Sequence, residues 1–200
     1  MSTPSPRRRL DVQQRRAAIL EAACEVYSAH PYAEVPTAQV AEAAGASPSL
    51  VFHYFGSKAG VYAAVVSRAM AQLESEQDTA DAALPEGVPV RDRVRTALVT
   101  YLDHIERRAA FWTVPLRGGE EPVEAQQVRT DARARTVDRL GSLLGVGDVV
   151  RHHYAIEGFL GFVDGACARW VGRGCPAHER DPMLEAALGA LEGALGDWRV

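Results

Sequence analysis

An all-α fold follows from three features of the sequence. Ala, Leu, Arg and Glu dominate the long stretches, and their apolar positions recur at three- and four-residue steps. No segment sustains the polar/apolar alternation with β-branched residues that a strand needs. The breaks between periodic stretches are short and carry Pro or Gly, as helices joined by tight connections require. With 200 residues, 47% of them hydrophobic and 24% charged, the chain holds enough apolar material for a core and is too hydrophobic for a disordered protein. At ~100–200 residues per domain, that length admits one or two domains.

Residues 1–10, MSTPSPRRRL, are Pro, Ser and Arg rich and are expected to be a disordered basic arm. A first helix is predicted over Val12–Ala29, where Ala18, Ile19, Ala22, Ala23, Val26 and Tyr27 form one apolar face, and His30-Pro31 ends it. Two short helices are predicted next, Thr37–Ala44 and Pro48–Tyr54, and residues 11–56 are expected to form a small domain. A connecting helix is predicted over 57–77. Residues 78–90, DTADAALPEGVPV, carry prolines and a glycine and mark the domain boundary. The larger domain, 78–200, is predicted to hold helices at about 91–112, 121–145, 148–173 and 181–198, with breaks at Pro115–Pro122, Gly145–Gly147 and Gly172–Pro176.

The net charge of −4 argues against a protein that coats nucleic acid over its whole surface, but the charge is uneven. Arg7, Arg8, Arg9, Arg15 and Arg16 face one acid, Asp11, in the first twenty residues, and the remainder is acidic. No apolar run approaches the ~18 residues of a membrane span, and no hydrophobic signal core follows the arginines, so a cytoplasmic protein is expected. Cys24, Cys167 and Cys175 are too few and scattered for a disulfide framework and are expected to be free thiols.

Residues 36–58, PTAQVAEAAGASPSLVFHYFGSK, place a short helix, a Gly turn and a second helix in the arrangement that reads DNA. Gly45 supplies positive φ for the turn, and Ala41 and Ala44 are small enough to let the helices approach. Ser47 caps the next helix, with Pro48 at the first helical position where its missing N–H costs nothing. Val51 and Phe55 are expected to face the core with Val40 and Leu20. Pro48, Ser49, Leu50, Phe52 and His53 then turn outward as a face that fits a major groove. Ser57 caps the following helix, and its amino terminus with Lys58, the only lysine in the chain, attracts a phosphate.

The string Ile19-Leu20, Ala22-Ala23, Val40-Ala41, Ala44-Gly45, Ser47, Phe52-His53-Tyr54-Phe55 and Ser57-Lys58 resembles the DNA-binding domain of the TetR family of bacterial regulators, over Arg16 to about Val66. The chain departs from that pattern at His30-Pro31-Tyr32, where a glycine is usual, at Pro36, where a capping hydroxyl is common, and at Ala59, where an acid is frequent. Thr37 is therefore expected to cap the second helix and touch a phosphate. The resemblance implies that Pro48, Ser49, Leu50, Phe52 and His53 approach bases, that Tyr54 and Lys58 hold phosphates, and that Ser47 lies among these DNA contacts. Arg7, Arg8 and Arg9 are either an arm for the minor groove or phosphates, or a solubilising tail.

In the last helix, Leu184, Leu188, Leu191, Leu195 and Trp198 alternate at steps of four and three and form a seam, with Gly189 and Gly193 on a neighbouring strip. The preceding helix offers Gly158, Gly161 and Gly165 with Phe159, Phe162 and Ala166. As in the resembling family, both helices are expected to pair with a second copy in a four-helix bundle. The dimer interface would take Phe159, Phe162, Ala166, Leu184, Leu188, Leu191 and Leu195. The other reading is that both helices bury against their own subunit. The resemblance also implies a cavity for a planar or lipophilic small-molecule effector, with Tyr101, His104, Phe111, Trp112, Arg117, Phe159, Phe162 and Trp170 as candidate contacts. For each of these, plain core packing is the alternative.

No cofactor is expected. His152-His153, Cys175 and His178 lack convincing further ligands for a metal, and adjacent helical histidines point apart. There is no Gly-rich phosphate loop, G-x-S-x-G elbow or HExxH pair. Glu120, Glu121 and Glu124 read as a solvated helix start. The expectation is a homodimeric, TetR-like repressor that binds a palindromic double-stranded operator and is released by a small molecule. The alternatives are a small helical enzyme or ligand-binding protein using the central cavity, with His104 or His153 as base, and a helical module that binds protein.

Overall fold

A computed structural model describes residues 11–117, 120–147 and 149–196, apart from the side chains of Ala110, Val114 and Arg117. Among these residues there are helices and no strand, as the sequence predicts. In order they are α1 (Val12–Ala29), a 3-10 turn (Tyr32–Glu34), α2 (Thr37–Ala43), α3 (Pro48–Phe55), α4 (Lys58–Ala82), α5 (Val90–Glu106), α6 (Ala109–Arg117), α7 (Val123–Leu143), α8 (Val150–Gly172) and α9 (Ala177–Leu195). The expectations for Arg7, Arg8, Arg9 and Trp198 lie outside the described residues.

Caps decide where the small helices start. Asp11 accepts from the Gln14 backbone N–H while the Gln14 side chain accepts from the Asp11 N–H, a capping box that opens α1. His30 is extended ahead of Pro31 and closes it. At α2 the expected Thr37 cap is not found. Pro36 occupies the cap position with no side-chain hydrogen bond, and Thr37 is already helical. Ser47 opens α3 as expected. A turn at Tyr32–Glu34, absent from the sequence reading, fills the space between α1 and α2.

Several boundaries differ from expectation, and the last helix starts at Ala177, ahead of the expected 181. The α4 helix continues past Gln77 to Ala82, and its added turn is fastened by Arg93 to Asp81 at 2.5 Å and by Arg139 to Asp78. The expected helix 91–112 is two helices, broken at Arg107-Arg108. There, Arg107 reaches Glu76 at 2.6 Å and Arg108 reaches Gln72 at 3.0 Å, both on α4. Pro115 lies inside α6 instead of ending it, near a helix end where one lost hydrogen bond is tolerable.

The first half of α4 packs on α1 and α3, and α2 packs on the same two helices, around Ile19, Ala23, Tyr27, Val40, Val51, Val61 and Val65. Its second half packs on α5 and α7, and α8 and α9 pair beside them. Glu74 meets Arg135 at 2.8 Å and Asp78 meets Arg139, so α4 and α7 advance by the same four residues in the same direction and run parallel. Such half-exposed pairs contribute roughly 0–1 kcal/mol each. A fully buried Val or Leu contributes ~1.5–3 kcal/mol, so apolar burial holds the helices while the ion pairs fix their register.

Candidate functional site: a helix-turn-helix head joined to an internal cavity

The α2–α3 turn is closed by two hydrogen bonds, Ala46 N–H to Ala41 O at 2.9 Å and Gly45 N–H to Glu42 O at 3.0 Å, with Gly45 at φ +58°. Val51 and Val40 are buried beneath it, and Leu20 and Phe55 pack at the margin with Arg16 lying 4.9 Å over the Phe55 ring. Ser47 Oγ accepts from Leu50 N–H at 3.2 Å and lies 2.9 Å from Ser49 Oγ. Ser47, Pro48, Ser49, Phe52 and His53 are exposed, as a base-reading face requires. Leu50 and Tyr54 are half-buried against the core, so they offer the groove only part of their surface.

The next helix begins against the end of this one. Ser57 Oγ accepts from Gly60 N–H at 2.9 Å, leaving an exposed helix start beside Lys58. A Cβ on Gly60 would lie 2.1 Å from Phe55 O, so only glycine allows α4 to abut α3 this closely. Lys58 Nζ rests 4.3 Å over the ring of Tyr32, which holds the ammonium at the surface near the α4 amino terminus. Thr37 is half-buried at the start of α2.

At the other end of α4 lies a cavity of about 400 Å³, within the usual range for a small-molecule site. Its wall is mostly apolar, with Met70, Leu98, Leu140, Leu160 and Val163 prominent, and its polar groups include Arg129, Arg133, Arg139 and Asp164. Of the predicted contacts, Tyr101, Trp112 and Phe159 line it. His104, Phe111, Phe162 and Trp170 do not, and the Arg117 side chain is outside the described residues. Phe111 is buried between Tyr62 and Trp112, Phe162 faces outward, and Trp170 is buried with its Nε1 donating to Pro176 O at 3.1 Å.

His104 is fully buried between α4 and α5, with Nδ1 3.1 Å from Glu76 Oε2. Burial pushes its pKa below the ordinary histidine value, against the opposing pull of Glu76. Burial raises the Glu76 carboxyl, but the hydrogen bonds and charges of His104 and Arg107 outweigh it and leave the carboxyl below its usual range.

A polar chain absent from the sequence reading links cavity and head. Glu121, expected to be solvated, has a side chain only 7% exposed; it accepts from Arg129 Nε at 3.0 Å and from Tyr62 Oη at 3.2 Å. The Tyr62 ring meets Tyr27 at 5.0 Å and Tyr32 at 4.9 Å, and Tyr32 carries Lys58 on its face. Burial, then the Glu121 carboxylate, raises the Tyr62 phenol to about 12, so it stays a donor. Removing one member of a buried ion pair typically costs ~3–5 kcal/mol, so Glu121–Arg129 firmly fixes the start of α7, and the Tyr62 hydrogen bond joins it to α4. The only sequence cue was an acid and an arginine eight residues apart, across a helix start that reads as surface.

The expected dimer seam requires correction. Leu184, Leu188, Leu191 and Leu195 are buried within this chain, so their 4-3 spacing serves the contact of α9 with α8 and α5. Phe159 belongs to the cavity wall. Phe162, 40% exposed, and half-buried Ala166 remain at the surface with Tyr154. Beside them Gly158, Gly161 and Gly165 on α8, and Gly189 and Gly193 on α9, all face open space.

A capped helix-turn-helix set on a long helix whose far end walls a cavity defines the class of DNA-binding regulators. The chain belongs to the TetR family: the family model described as bacterial regulatory proteins, tetR family, matches residues 19–65. Over 192 residues it is 30% identical to the HTH-type transcriptional activator FasR of Mycolicibacterium smegmatis, covering 94% of this chain and 85% of that one. A tetR-family transcriptional regulator from Streptomyces coelicolor superposes with a TM-score of 0.75 at 22% identity, covering 94% of this chain and 81% of that one. The transcriptional regulator FadR of Bacillus subtilis, solved in complex with stearoyl-CoA, superposes with a TM-score of 0.66 at 16% identity, covering 89% of this chain and 96% of that one. This protein is thus a DNA-binding transcriptional regulator. No helix among the described residues is long and apolar enough to cross a membrane.

Proposed function

We propose that this regulator binds a palindromic operator as a homodimer and represses until a lipophilic small molecule enters the cavity and releases the DNA. The observation that carries this reading is α4 itself. Its first turn, with Lys58 and the Ser57 cap, lies against the base-reading helix, while Met70, Leu73 and Gln77 on the same helix line the cavity. A ligand that favours one placement of α4 would shift the head, whereas one with equal affinity for both placements would not. The stearoyl-CoA bound by the Bacillus subtilis FadR supports an effector with an acyl chain.

Dimerisation is supported by the small-residue face of α8 and α9, where Gly158, Gly161 and Gly165 leave room for another helix beside exposed Phe162. Two heads are needed because one reading helix seldom supplies enough specificity, and half-sites one DNA turn apart, ~34 Å, match a two-fold axis. The enzyme reading relied on His104 or His153 as base; His104 is sealed against Glu76 and His153 is exposed, and neither lines the cavity.

The test is binding to the DNA flanking the protein's own coding region, with scrambled competitor and a salt titration. Tight binding that resists the competitor and falls steeply with salt is expected. Salt-insensitive binding would reject the phosphate contacts, and unchanged DNA affinity in the presence of a tightly bound ligand would show that the ligand is not the effector.

A further inference from the structure

We infer that the effector is a straight-chain carboxylate whose head is received by Arg129 and Trp112 and whose chain lies along α7. This rests on the reading of the cavity as the effector site. The cavity is long. Its wall follows α7 from Arg129 to Leu143, which at ~1.5 Å per residue is about 21 Å, and follows α4 alongside from Met70 to Gln77. Its sides are mostly apolar over that length, through Ala132, Leu140, Leu98 and Phe159, and the other arginines on the wall already hold acids, Arg133 with Asp164 and Arg139 with Asp78. An extended hydrocarbon fills such a space better than a compact or planar molecule.

One end is different. The Arg129 side chain is 15% exposed and spends only Nε on Glu121. Its Nη1 and Nη2 are buried, and no acceptor among the described residues reaches either. Its guanidinium carbon lies 5.2 Å from the Phe111 ring centre and 5.3 Å from that of Trp112; such contacts satisfy the cation but offer no acceptor to its N–H groups. Trp112 Nε1, on the cavity wall, is also buried with no acceptor among the described residues. Three donors are thus gathered at one end of an apolar channel. The Nη1/Nη2 edge of a guanidinium matches a carboxylate with two parallel hydrogen bonds, and the indole N–H adds a third.

The same geometry discriminates among acyl compounds. Glu121 uses the Nε side of the fork and leaves the Nη edge free. A methyl ester brings a neutral acceptor there. An acyl-CoA cannot bring its bulky head to this buried end, and if it entered chain first it would present a methyl group to the three donors. A carboxylate that draws Arg129 toward the channel would also weaken the hold of Glu121 on Tyr62, and through Tyr62 the link to the head.

The test titrates the full-length protein with the saturated carboxylates from octanoate to hexadecanoate, with methyl dodecanoate and with dodecanoyl-CoA, followed by calorimetry and tryptophan fluorescence. The best acid is expected to bind at least tenfold more tightly than the ester or the thioester. Arg129→Gln should abolish that preference while leaving ester binding in place. Because Arg129→Gln strands the Glu121 charge, the double variant Arg129→Gln/Glu121→Gln supplies the same comparison without an orphaned carboxylate. Ester or thioester binding as tight as the acid, undiminished acid binding by the double variant, or binding of no acid in the series would overturn the inference. Ala132→Trp, which fills the channel, separates the two levels. If it blocks the ligands while the Arg129 variants change nothing, only the head-group assignment fails. If ligands bind Ala132→Trp as before, the cavity reading fails as well.

Discussion

Lys58 illustrates how much a single residue can reveal. It is the only lysine of the chain, it stands in the first turn of α4, and its ammonium is held over Tyr32 at 4.3 Å. Lys58→Ala should weaken DNA binding about equally for all sequences and reduce the salt dependence by about one phosphate contact. The lost ring contact costs ~0.5–1 kcal/mol, too little to unfold the head, so a matching thermal melt would assign the affinity loss to DNA contact. Unchanged affinity would remove Lys58 from the interface.

His104 makes the opposite case, since its hydrogen-bond partner Glu76 lies on another helix 28 residues away, while Arg107, Arg108 and Trp112 complete its surroundings from nearby in the chain. Its folded pKa is lowered, chiefly by burial, so below the ordinary value of ~6.5 the unfolded chain binds more protons than the folded one. Stability therefore falls as pH drops through the window beneath ~6.5, and His104→Gln should flatten the melting temperature there. The lowered Glu76 acts separately, in the carboxylate range below about 4.5. A melting curve equally steep in pH for His104→Gln would assign the slope to other groups. At this scale the exposed face of α3 was legible because a local turn places it. Arg129 and Glu121 were not, because their meaning arises from Tyr62, which is 59 residues from Glu121 in the chain.

Among the elements, the short helices were legible wherever caps are local, as at Ser47 and Ser57, and illegible where a distant helix decides the boundary. The break at Arg107-Arg108 coincides with contacts to Glu76 and Gln72 on α4, information absent from the periodicity of 91–112. The contact of α3 with α4 depends on one atom that is missing. Gly60→Ala would place a Cβ 2.1 Å from Phe55 O, a backbone atom that cannot swing away, so the first turn of α4 must shift. Strain of this kind costs ~1–3 kcal/mol, although alanine is intrinsically the better helix former by up to ~1 kcal/mol. The expected result is a lower melting temperature together with a loss of operator affinity in the fraction that remains folded. A variant that melts at or above the parent temperature and binds DNA normally would show that the close approach is dispensable.

At the scale of the whole molecule, one sequence signal was real but assigned to the wrong contact. A leucine seam stepping by four and three specifies that a helix packs along its length, and it does not say on which chain the partner helix lies. Here Leu188 and Leu191 are fully buried within the chain, while the glycine-bearing strips of α8 and α9 face open space, where the proposed second copy would pack. Replacing Gly161 tests this directly. A side chain there meets open space in the single chain, and removing a mid-helix glycine favours the helix by ~0.5–1 kcal/mol, so Gly161→Glu should fold at least as well as the parent. In a dimer the same carboxylate would enter a close helix contact beside Phe162 and its symmetry mate, where an unpaired charge is costly. Light scattering should therefore report two chains for the parent and one for Gly161→Glu, with operator affinity reduced more than tenfold because the two heads are no longer linked. A Gly161→Glu protein that keeps the mass of two chains would move the interface elsewhere, and a parent with the mass of one chain at micromolar concentration would remove the dimer from the reading.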